Sequence, residues 1–112
     1  MALVTREEVK QYLRVDSKDE DQLIDSFLST AEQLCIDVAR ITTDQWEAVD
    51  SGDNLDQKVY NVEEVKQVRE LMKIAILYTV GYLYEHREEA DHHDLVLTLR
   101  SLLFSIREGV VA

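Results

Sequence analysis

Three histidines, His86, His92 and His93, lie within one short polar stretch beside five carboxylates, Glu85, Glu88, Glu89, Asp91 and Asp94. Imidazole and carboxylate are both metal ligands, so a bound ion is the first chemistry to weigh. The spacing argues against it. No two of these histidines stand four residues apart, the offset that puts a ligand pair on one helix face, and no HExxH motif occurs. The stretch reads as a solvated hinge, and no metal is expected. Asp50-Ser51-Gly52-Asp53-Asn54-Leu55-Asp56 has the composition of a calcium loop. Its glycine is misplaced and the closing glutamate is missing, so it reads as a loop tip. Cys35 sits on an apolar helical stripe with no base four residues away to lower its pKa. It reads as a buried, inert thiol. No nucleophile elbow, phosphate-binding glycine loop or paired-carboxylate arrangement occurs, so neither an enzymatic activity nor a cofactor is expected.

What remains are residue types that build interfaces. Trp46, the single tryptophan, either plugs the edge of the core or anchors a partner. Tyr78, Tyr82 and Tyr84 read as core or interface packing rather than a base-stacking platform. Arg100 and Arg107 stand two helical turns apart on a mildly basic helix in an otherwise acidic chain. They are either ordinary surface charge or partners for carboxylates of an adjacent subunit. Val110 and Val111 form an apolar tail after Gly109, a plausible helix stop. The candidate interface residues are therefore Trp46, Tyr82, Arg100, Arg107, Val110 and Val111.

The composition narrows the setting. The chain has 112 residues, enough for one domain with a real core, and we expect a single domain over 1–112. Proline is absent and glycine occurs three times, which favours helices over turn-rich β architectures. With 23 acidic and 12 basic residues the net charge is -11. That argues against a sequence-independent duplex-DNA binder, which needs Lys and Arg to neutralise phosphates, and against anionic membranes. A lone cysteine offers no internal disulfide. The first residues carry no secretory signal pattern, and the longest apolar run is shorter than the ~20 residues a bilayer requires.

These residues must be positioned by helices. Thr5 and Glu8 have capping-box spacing, with Val4 and Val9 where a hydrophobic staple would stand; a short helix should run from there to about residues 14–16, with Val9, Tyr12 and Leu13 on one apolar stripe. Ser17 and Glu20 repeat the capping spacing. They open a second helix whose apolar positions, Leu23, Ile24, Phe27, Leu28, Ala31, Leu34, Cys35 and Val38, carry it to about residue 40. Residues 41–61 break the pattern and read as a long irregular loop or arm, with room for a short helix at 43–49. A third helix is expected over 62–88, capped by Asn61. Its second half, Ile74 to Tyr84, is apolar almost all round with only Thr79 clearly polar. Such a helix is surrounded by protein, and in so short a chain partner subunits could supply part of the wrapping. Gly81 costs ~1 kcal/mol of helix propensity, which close approach of another helix would explain. After the polar hinge at 85–94, a fourth helix places Leu95, Val96, Leu99, Leu102, Leu103 and Ile106 on one stripe. The fold class is all-α: a small bundle of four main helices around a central apolar one.

The run Thr5-Arg6-Glu7-Glu8-Val9-Lys10-Gln11-Tyr12-Leu13-Arg14-Val15-Asp16, followed by Asp19-Glu20-Asp21-Gln22-Leu23-Ile24, resembles the opening of tailed-phage head–tail connector (adaptor) proteins. The central Ala75-Ile76-Leu77-Tyr78-Thr79-Val80-Gly81-Tyr82-Leu83-Tyr84-Glu85-His86-Arg87 resembles that family's "AIxxxVxYxYExR" helix. Leu102-Leu103-Phe104-Ser105-Ile106-Arg107 is similar to its closing "LLxxxR" helix. The resemblance covers about two thirds of the chain and leaves 41–61 unmatched. The family often has a proline before its central helix, and this chain has none. The resemblance implies a structural virion protein, made in a bacterial host cytoplasm and assembled at the head–tail joint. It implies a ring of identical subunits that binds below the portal protein, extends the DNA channel and docks the next neck or tail protein. DNA would pass without specific binding, and residues 95–112 would face the portal. The competing reading of the composition is a small acidic helical regulator or DNA mimic that blocks a basic nucleic-acid-binding protein.

Overall fold

A computed structural model describes residues 3–42, 46, 62–86 and 93–107, with only the backbone described at 62–65, 105 and 107. Among the described residues there are helices and no strand. α1 is Arg6–Leu13, α2 Asp21–Ala39, α3 Val62–Glu85, α4 His93–Leu102 and α5 Phe104–Arg107. Leu103 forms the turn between α4 and α5, so the expected fourth helix is a rod broken once near its end.

The start of α1 follows the sequence pattern. The Thr5 hydroxyl accepts the Glu8 amide at 3.2 Å, and the Thr5 amide donates to the Glu8 carboxylate at 3.3 Å. This reciprocal cap satisfies two backbone donors that the helix leaves open. Val4 and Val9, the staple pair, are both buried. α1 ends at Leu13, and Arg14 adopts a left-handed conformation with φ 60°. The Val15 amide then reaches back to the Lys10 carbonyl at 2.9 Å, the long closing bond of a Schellman turn. α2 closes the same way, with Arg40 at φ 57° and the Ile41 amide on the Ile36 carbonyl at 3.2 Å.

Three expectations about helix ends are corrected. Ser17 and Glu20 do not form a capping box. Glu20 is itself the N-cap residue of α2 and makes no side-chain cap bond. Its carboxylate is engaged by the Tyr84 hydroxyl, while the Ser17 hydroxyl accepts the Asp19 amide at 3.0 Å. Glu20 stands one residue before the start of α2 instead of three residues into it, and its carboxylate is taken by a side chain of α3. The third helix stops at Glu85 instead of residue 88. There the Tyr82 carbonyl takes both the His86 amide, at 2.9 Å, and a contact from His86 Nδ1 at 3.0 Å. The last helix also starts earlier than Leu95: His93 and Asp94 belong to its first turn, where Asp94 suits the positive helix end.

α2 and α3 share the most extensive packing, and α1 and the C-terminal helices both lie against this pair. α2 contributes Ile24, Ala31, Cys35 and Ala39 to the core. α3 contributes Val68, Met72, Ala75, Ile76 and Val80, and the last two helices contribute Leu95, Leu99, Leu103 and Ile106. These positions recur at three and four residues, so each helix buries one stripe. Salt bridges tie the α1 edge down. Arg6 pairs with Asp21 and Asp25, Lys10 with Asp21, and Lys73 of α3 with Glu8.

Candidate interaction surface

The apolar second half of α3 is divided between two surroundings. Met72, Ala75, Ile76, Thr79, Val80 and Leu83 face the core and are buried. On the opposite side Ile74 is 56% exposed and Tyr78 38% exposed. At 100° per residue, positions 70, 74, 78, 81 and 85 form one line down the helix. Exposed Glu70 and Glu85 close the two ends of this line. α3 is therefore wrapped by its own chain on its inner face and leaves an outer stripe of large apolar side chains uncovered.

α1 extends this stripe. Tyr12 is not on the buried stripe expected of it: Val9 is buried and Leu13 half-buried, while Tyr12 is 52% exposed and lies over Gly81. A Cβ at Gly81 would stand 3.1 Å from the Tyr12 ring. The close approach expected at this glycine is real, and its source is the ring of Tyr12. Tyr12, Tyr78, Gly81 and Tyr82 line an open groove of about 530 Å³, bordered by Arg14 and Glu85. The Tyr82 ring stacks on His86 with centroids 4.2 Å apart. Apolar walls with a charged rim are the composition of a protein-docking surface.

The C-terminal helices carry a second uncovered stripe. Leu97 is 46% and Phe104 57% exposed. They stand two turns apart, opposite the buried line of Leu95, Leu99, Leu103 and Ile106. Arg100 lies between them, exposed, and makes no ion pair among the described residues.

The candidate residues named from sequence are distributed unevenly over these features. Tyr82 is half-buried and lines the α3 groove. Arg100 belongs to the C-terminal stripe. Trp46 is half-buried against the core, helical at its own position, with its amide on the Thr42 carbonyl at 2.9 Å. Arg107 is in α5, but its side chain lies outside the described residues, as do Val110 and Val111 and most of the 41–61 segment. The sequence pattern marks Ile74 only as part of a uniformly greasy run, Tyr78 as core or interface packing and Tyr12 as part of the α1 apolar stripe, and it does not single out Leu97 and Phe104. Leu97 and Phe104 could have been found: they are seven residues apart and fall off the stripe that predicts the core.

Two of the groups that raised questions of chemistry, Cys35 and His86, make contacts within the fold. Cys35 is buried, and its sulfur lies 3.6 Å from the Thr79 hydroxyl. That hydroxyl donates its one hydrogen to the Ala75 carbonyl at 2.8 Å, so the thiol is the donor to it. Burial pushes the Cys35 pKa up to about 11, far from a reactive thiolate. His86 stacks on Tyr82, and His93 is exposed at the start of α4. His92 lies outside the described residues. Among the described residues no group of three or more His, Cys, Asp or Glu side chains could hold a metal. No described helix is long and apolar enough to cross a membrane.

A second groove of about 650 Å³ is lined by Arg6, Lys10, Arg14 and Lys18. Asp21 and Asp25 already neutralise the first two of these bases. The Arg6 guanidinium holds the Asp25 carboxyl below the usual carboxylate range, and Lys73 does the same for Glu8.

A family model described as phage gp6-like head-tail connector protein matches residues 4–109. The chain belongs to this family. The match runs through 41–61, the segment that the motif resemblance left unmatched. No curated protein and no solved structure matches the chain significantly. A phage structural connector role follows from the family. It agrees with an all-helical molecule whose most conspicuous surface features are uncovered apolar stripes.

Proposed function

We propose that this connector acts as a ring of identical subunits at the head–tail joint, bound below the portal protein and continuing its DNA channel. The observation that carries this reading is the outer stripe of α3. Ile74 and Tyr78 are large, apolar and open to solvent at the middle of the longest helix, with Tyr12 beside them. Removing such a stripe from water favours association at roughly 25 cal/mol per Å² of apolar area buried, and a ring does so at every subunit.

The family role supports the rest of this reading. The C-terminal part of the chain, from Leu95 onward, turns toward the portal, and the opposite end receives the next neck or tail protein. Trp46, Arg100 and Arg107 contribute to contacts between proteins. The net charge of -11 suits a channel wall that repels DNA and lets it slide. The protein does this work by symmetric association, with no catalytic step, and its place is the virion.

Electron microscopy of the protein mixed with portal-bearing capsids tests the proposal. The expected result is a new annular density, coaxial with the portal, on capsids that received the protein. A bare portal, with both components intact and folded, would refute it.

A further inference from the structure

We draw no further inference here: the strongest candidate, the tyrosine-lined groove between α1 and the last turns of α3 where Tyr12 lies over Gly81, is bordered by charges of opposite sign, Arg14 and Glu85, that select no one partner, and nothing in the structure shows what covers it.

Discussion

The inner and outer faces of α3 carry similar side chains and do different work. Met72, Ile76 and Val80 on the inner face are wholly buried in the core that α3 shares with the other helices. Ile74 and Tyr78, on the other side of the same turns, meet solvent. Hydrophobicity in this helix therefore has two sources, the core of one molecule and the surface offered to another. Among the described residues one polar side chain is fully buried, and it shows which face is which. Thr79 sits on the inner face with its hydroxyl satisfied by Ala75 and its oxygen accepting the Cys35 thiol. A buried hydroxyl is tolerated because both of its roles are filled.

The largest expected effect separates the two faces directly. Met72→Ala empties a fully buried site and should cost about 2–5 kcal/mol of folding stability, read by chemical denaturation. Ile74→Ala should change the same measurement by less than about 0.5 kcal/mol, since most of its side chain is already in water. Equal losses at the two positions would show that the outer stripe is covered within the single chain.

A smaller effect probes the polar contact inside. Thr79→Val removes the acceptor of the Cys35 thiol and should destabilise by about 1 kcal/mol. Alkylation of Cys35 at pH 8 should be negligible in the native wild-type protein and rapid once it is unfolded, because the native thiol titrates near 11. Fast labelling of native protein would place Cys35 outside the core.

Helix ends sharpen the contrast between faces that pack and sites that merely terminate. Arg40→Gly relieves a left-handed backbone conformation at the end of α2. It should raise stability by about 0.5–1 kcal/mol in thermal melts, with no effect on association. A loss of stability there would mean that the Arg40 side chain makes a contact worth more than the backbone strain.

The smallest expected effect lies on the α1 edge. Glu8 and Asp25 have carboxyl pKa values held down by Lys73 and Arg6 respectively. Groups lowered in this way stabilise the fold above the ordinary carboxylate range of about 4 and lose that contribution as the pH falls through their native values. Stability should therefore decline below about pH 4. Glu8→Gln should remove part of that decline at a cost of a few tenths of a kcal/mol at neutral pH, since the Glu8–Lys73 pair is partly solvated. An unchanged acid limb in Glu8→Gln would assign the decline to other carboxylates.

Local rules were enough wherever the partner lay within a few residues. The Thr5–Glu8 cap depends on neighbours in the chain and stands as the spacing indicates; Val4 and Val9 are both buried, and the α2 stripe holds except at Leu23, which is exposed. Glu20 shows where local rules stop. Its spacing from Ser17 was correct for a cap, but Tyr84, 64 residues away, takes its carboxylate. The αL ends at Arg14 and Arg40 were also illegible, because neither is the glycine or asparagine that marks such a position.

From its residues alone, this chain is helical, acidic, poor in breakers and without catalytic spacing, because those properties are set by composition and by periods of three and four. The family is legible there too, in the motifs of α1 and α3. Only the tertiary structure decided which side of the greasy α3 faces inward and that Tyr12 covers Gly81. A helix that is apolar all round has no preferred side of its own, and the packing of α1, α2 and the C-terminal helices fixes which turns are covered and which are left for a neighbour.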